Sequence, residues 1–309
     1  MKTEGPEPRF QPVRSAGILR RPGERAIEAM LLAAALASVA ITLGIVGVLL
    51  YESAAFFRQV APLEFFTDTQ WTPLFSEPRY GIAPLVCGTV VTTAVALAVA
   101  VPAGTIVAVY LSEYASPLLR EIVKPVMELL SAVPTVVYGY FALLFVTPLL
   151  QRVWPELPGF NMLSAGLVIG VMIIPYVSSV SEDAMRAVPL SLREGSYALG
   201  ATRMQTAVRV VVPCALSGMA AAYVLAVSRA IGETMVVAIA AGMQPTLTWN
   251  PLEPAATLTA YIVQVSLGDL PHGSIGYRTI FAAGLVLFLM TLAFNIAGHV
   301  LRKRLYQAY

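Results

Sequence analysis

Two opposite charges four residues apart, Arg229 and Glu233, stand in the otherwise apolar stretch from Pro213 to Ala241. Residues at this spacing share a helix face and act as one unit. A charge within hydrocarbon costs about 2.5–3.5 kcal/mol on insertion scales. Pairing lowers that cost, but two apolar residues would lower it further, so the pair needs a reason. One reading is a cation offered to a passing anion, with the carboxylate limiting how tightly it is held, because a conduction site must also release. The other is a structural ion pair that fixes packing against a neighbouring helix. Oxyanions are bound by arginine, hydroxyls and helix N-termini. Thr234, Ser131, Thr135, Thr92 and Thr93 supply hydroxyls in or beside apolar stretches, and Pro134 and Gly139 interrupt a helix so as to free backbone donors. A single hydroxyl more often bonds back to its own helix, so these rank below Arg229. Glu128, four residues after Lys124, reads as an interfacial pair with it.

Enzymatic chemistry is disfavoured. A buried active site needs a convergent nucleophile, acid–base or metal cluster, and the Arg–Glu pair has no His or Cys beside it. His272 and His299 are isolated, which disfavours zinc, and Cys87 and Cys214 read as small buried hydrophobes. No G-x-x-x-x-G-K-[ST] phosphate loop occurs, so the chain does not hydrolyse ATP itself.

The elements that must carry these residues follow from composition. The chain has 309 residues, 57% of them hydrophobic and 12% charged, with net charge +2. Disorder needs the opposite balance, a soluble surface needs more charge, and a nucleic-acid binder needs a basic excess. An all-α membrane protein with several spans remains. Six spans are expected, at about 27–50, 83–111, 125–150, 162–180, 213–241 and 277–300. The third is broken in its middle at Ser131–Thr135, and the first is too long for a signal-peptide core. A short amphipathic piece with Glu113, Arg120, Glu121 and Lys124 follows the second span. The 51–80 connection carries Phe56, Phe57, Phe65, Phe66 and Trp71, which suit a membrane interface. Residues 257–267 are apolar but too short to cross, and read as an interfacial or re-entrant helix. Fifteen Lys and Arg fall in the tails and even-numbered connections against four on the other side, which puts both termini in the cytoplasm. The Arg-rich segment 1–26 is read as a cytoplasmic tail that contacts anionic lipid.

The connection 181–212 carries more local grammar than a plain loop. Ser191-Leu-Arg-Glu194 after Pro189 fits a capping box, Gly200 fits a left-handed helix stop, and Thr202-Arg-Met-Gln205 fits a second box. Two short helices with a turn at Gly200 are expected, either as a knob that docks on a partner or as a well-capped interfacial pair.

Glu194, Gly200 and Pro213 stand at the spacing of the EAA loop of ABC importer permeases, between the fourth and fifth of six spans. The chain thus resembles that family, departing at Gly195 and Ser196, where two alanines are usual, and at Val210 and Val212. The resemblance implies a type I ABC importer permease (MetI-like) fold. It also implies that Arg193, Glu194, Gly200, Ala201 and Thr202 couple to a separate ATPase, so that this chain binds no cofactor and ATP with Mg sits on the partner.

The string Arg229-Ala-Ile-Gly-Glu-Thr-Met235 resembles the fifth-span signature of phosphate-specific ABC permeases. Ser131–Gly139, Gly88–Thr93 and Pro254–Ala260 resemble other segments of the same group, and the length of the 51–80 connection favours its PstC-like over its PstA-like subunit. This implies half of a phosphate path through the bacterial inner membrane. The implied partners are an ATP-binding subunit dimer, a second homologous permease, a periplasmic phosphate-binding protein and membrane lipid, with no nucleic acid. The implied organisation is a tail at 1–26, a first span and outer loop at 27–82, a permease domain at 83–301 with a coupling loop at 186–213, and a second tail at 302–309. Two alternatives stay open: a related importer for sulfate or molybdate, and a secondary transporter, for which inverted repeats would be needed.

Overall fold

The computed structural model describes residues 22–305 except 74, 269 and 272, so the tail at 1–21 and His272 lie outside the described residues. The described residues are helical with no strand, save one bridge between Trp71 and Tyr80. The chain divides between Val48 and Leu49 into two units. The first unit is the bulk of helix α1 (Pro22–Phe57), an apolar rod with no buried residue in its most apolar window.

The second unit contains the remaining helices. These are α2 (Pro62–Thr67), α3 (Ala83–Val109), α4 (Pro117–Ala132), α5 (Thr135–Phe141), α6 (Thr147–Gln151), α7 (Met162–Arg186) and α8 (Leu190–Ala198). They continue with α9 (Arg203–Thr206), α10 (Val212–Ile231), α11 (Met235–Ala240), α12 (Leu258–Ser266) and α13 (Ile275–Leu305). Single π-helical turns at Tyr110–Tyr114, Ala142–Val146 and Ala207–Val211 extend α3, join α5 to α6 and join α9 to α10. Among the described residues, five helices are long and apolar enough to cross a membrane, and six if the bent pair α4 and α5–α6 counts as one span.

The core is α3 against α7 with α10 alongside. Small residues let α3 and α7 approach closely: a Cβ on Gly170 would lie 2.8 Å from the Ala96 carbonyl oxygen, and one on Gly166 would lie 2.6 Å from Val95. Such close approach replaces the hydrophobic driving force that lipid does not supply between helices.

Four expectations change. The third span is broken at Ser131–Thr135 as expected, but its first helix starts earlier: α4 takes in Arg120, Glu121 and Lys124 of the amphipathic piece, leaves Glu113 to the π-helical turn after α3, and meets α5–α6 at an 86° corner. The residue before a proline is driven out of the helical region, and Val133 and Pro134 are both extended. The fifth span ends at Ile231, since Gly232–Thr234 interrupts the helix before α11. The aromatics of the 51–80 connection are divided: Phe66 is exposed, but Phe56, Phe65 and Trp71 are fully buried with Tyr80 and Tyr261 in a core of edge-to-face rings. Such rings bury a large apolar area and add a quadrupole attraction at this geometry. Finally, the second short helix of the 181–212 connection is not separate. From Arg203 the chain runs without interruption to Ile231, so α9 is the root of the fifth span.

Candidate functional site

Arg229 closes the last turn of α10, and Glu233 follows the Gly232 break. Arg229 Nη1 donates to Glu233 Oε2 at 2.6 Å, with Glu233 2% exposed and Arg229 32% exposed. The carboxylate also serves the backbone, because its Oε1 accepts from the N–H groups of Met235 and Val236 at 3.2 and 3.3 Å. It therefore caps α11, satisfying donors that a helix start leaves unpaired. The Glu233 carbonyl in turn accepts from Thr259 Oγ1 at 2.7 Å, which ties the break to α12. The Arg229–Glu233 face expected from spacing is present: Glu233 is locked inside while Arg229 keeps an exposed side.

The hydroxyls are not gathered around that pair. Ser131 Oγ donates to the Glu128 carbonyl at 2.7 Å and Thr234 Oγ1 to the Gly232 carbonyl at 3.2 Å, both local backbone bonds. Thr92 and Thr93 are buried in α3, and the Thr92 hydroxyl has no hydrogen-bond partner among the described residues. Thr135 stands at the start of α5 beyond the corner. Among the described residues no hydrogen bond links Ser131, Thr135, Thr92 or Thr93 to Arg229 or Glu233.

The second site is the 186–213 connection. Gly200 terminates α8 with φ +81°. Its N–H reaches the Tyr197 carbonyl at 2.9 Å and that of Ala201 reaches Ser196 at 3.2 Å, the double closure of a Schellman stop. The Thr202–Gln205 capping box is present in both directions. The Ser191 box is not. Pro189 occupies the cap, so α8 starts two residues earlier and Ser191 lies inside it. No residue of α8 is buried. Leu190 and Leu199 are 70% and 90% exposed, and Glu194 is exposed beside them, so the helix presents apolar side chains that nothing among the described residues covers.

Sequence reasoning missed Glu182. It is fully buried at the end of α7, where Lys124 Nζ donates to it at 2.9 Å. Arg120 Nε lies 3.1 Å away without hydrogen-bond alignment, and Arg186 lies at 3.7 Å. Lys124 also reaches Asp183 at 2.7 Å, so its partners are across the fold rather than Glu128. The i,i+4 spacing of Glu182 and Arg186 was the only local trace of this cluster.

Helices of membrane-crossing length, a core built on close α3–α7 contact and a capped exposed helix between two spans define an integral-membrane transport subunit. The family model described as "Binding-protein-dependent transport system inner membrane component" matches residues 100–308. The chain belongs to that family. It is 36% identical to the "Probable ABC transporter permease protein YqgH" of Bacillus subtilis, over 89% of this chain and 88% of that protein. It is 32% identical to the "Phosphate transport system permease protein PstC" of Xylella fastidiosa, over 89% and 90%. A chain of a bacterial ABC transporter involved in alginate import shares the fold with TM-score 0.66 at 18% identity, covering 92% of this chain and 97% of that one.

Proposed function

We propose that this chain is one permease subunit of an ATP-driven importer for inorganic phosphate. The observation that carries the substrate is the likeness, across about nine-tenths of both chains, to relatives described as phosphate transport permeases. The chain's own chemistry supports it: Arg229 is a permanent cation at a helix break, kept partly exposed while Glu233 is buried. A guanidinium offers planar, bidentate donors to an oxyanion.

In this reading both termini are cytoplasmic. A binding protein delivers phosphate to the opposite face, and a second permease completes the path. The exposed apolar face of α8 with Glu194 docks on a separate ATPase that holds ATP and Mg. Closure of that ATPase moves α8, and the spans switch access.

Uptake of labelled phosphate by the reconstituted complex, in competition with sulfate, molybdate and arsenate, tests the substrate. Competition by arsenate alone supports phosphate. Equal competition by sulfate or molybdate moves the assignment to another oxyanion, and uptake without ATP overturns the importer.

A further inference from the structure

Within α8, Arg193 and Ser196 lie three apart on one helix face, and both side chains are partly covered. Both are bonded to the membrane-crossing helices. Arg193 is 14% exposed; its Nη1 lies 3.2 Å from Oε1 of Glu113, itself 3% exposed. Its Nη2 donates to the Met185 carbonyl at 2.7 Å. Glu113 belongs to the π-helical turn that ends α3, and its Oε1 also accepts from Ser112 Oγ at 2.8 Å. Met185 is in the last turn of α7. Ser196 Oγ and Thr206 Oγ1 share a hydrogen bond of 2.9 Å, and Thr206 is fully buried at the root of the fifth span. This is the position where Ser196 departs from the alanine of the family loop.

We infer that Arg193 and Glu113 form an internal strut that carries motion of α8 into α3 and α7. In this role Arg193 is a positioning residue that acts through Glu113, not a contact for the ATPase. The inference rests on the coupling reading above. Three physical points carry it. A helix with no buried residue has little apolar packing of its own with which to push. A guanidinium held by a carboxylate and a carbonyl on two different helices is constrained in direction as well as distance. And a charge pair this covered is costly to leave half-made, so α8 cannot move away from α3 and α7 without a penalty. Ser196 adds a weaker tether to the fifth span. Next to the strut lies an open cavity of about 860 Å3, lined by Glu113, Tyr114, Arg193, Glu194, Tyr197 and Arg203.

The test uses the whole complex with its ATPase and binding protein. Arg193→Gln and Glu113→Gln are expected to retain ATPase association and basal hydrolysis, while transport per ATP falls on the order of tenfold. Weakened ATPase association in Arg193→Gln would assign Arg193 to the docking surface and overturn the strut, as would unchanged transport per ATP. A second measurement decides the matter if the variants do not assemble. Spin labels at Ile106 on α3 and Leu199 at the end of α8, with Cys87 and Cys214 replaced by Ala, report the separation in the otherwise native complex. An unchanged separation between nucleotide-free and ATP-trapped states supports the strut, because α3 and α8 then move as one body. A changed separation overturns it. This readout needs no substrate, so a complex that takes up no phosphate refutes the substrate assignment and leaves the strut test standing.

Discussion

Two glycines in one exposed helix are expected to respond to the same added methyl group with opposite signs. A Cβ at Gly195 or at Gly200 would have no heavy atom within 4 Å, so neither substitution clashes with anything. The difference is backbone alone. Gly200 has φ +81°, and an L-residue there costs about 1–2 kcal/mol. Gly195 sits inside α8, where alanine gains up to about 1 kcal/mol through helix propensity. Hydrogen exchange at the amides of Leu199 and Ala201, which close the helix end on Gly195 and Ser196, reads the opening equilibrium directly. Gly200→Ala should speed exchange roughly 5- to 30-fold, the factor that 1–2 kcal/mol sets, and Gly195→Ala should slow it by up to roughly 5-fold. Docking on an ATPase needs α8 ordered, and apparent affinity scales with the ordered fraction. Gly200→Ala should therefore weaken ATPase association, whereas Gly195→Ala should leave it unchanged if α8 is already mostly ordered. Faster exchange in both variants, or no change in Gly200→Ala, would refute the claim that a left-handed residue is what ends this helix.

Arg229→Gln should abolish most uptake while the complex still assembles, since Glu233 keeps its two backbone N–H donors; loss of assembly in co-purification would show the pair to be purely structural. Glu182→Gln should lower thermal stability by about 3 kcal/mol, the low end for a broken buried pair because the cations around it stay partly exposed and can rehydrate; a denaturation midpoint equal to wild type would count against the cluster. Ser196→Ala should cost about 1 kcal/mol by leaving the buried Thr206 hydroxyl short of a partner, read as faster exchange at the start of α9. Thr248 and Asn250 donate to the Glu253 carboxylate and hold it below its ordinary value of 4.5. The order this lends to residues 246–256 should be complete above that value and lost as pH falls through the lowered one. Exchange protection there that rises on acidification would contradict the assignment.

Much of this molecule is legible along the chain because its signals are short-ranged. Hydropathy alone marks the long helices, since each must satisfy its own backbone in lipid. Gly200, the Thr202–Gln205 box and the Arg229–Glu233 pair rest on contacts within a few residues, and all three are present. Where two local signals compete, reading by pattern fails. Ser191 could have capped α8, but Pro189 took that position by starting the helix earlier. Residues 125–150 read as one span interrupted at Ser131–Thr135, and only the extended backbone at Val133–Pro134 makes the interruption an 86° corner. What tertiary structure alone decided are the partners of charges. Lys124 lies 58 residues from Glu182, and no spacing rule reaches that far. The same holds for Arg193, which the family pattern places on the docking surface and which the fold turns inward onto Glu113. The number and length of the helices were set by each segment's own cost in lipid or water. Which ion pairs tie them together depended on where the close approach of α3 and α7 placed the ends of the spans, and that distance is a property of the packed molecule.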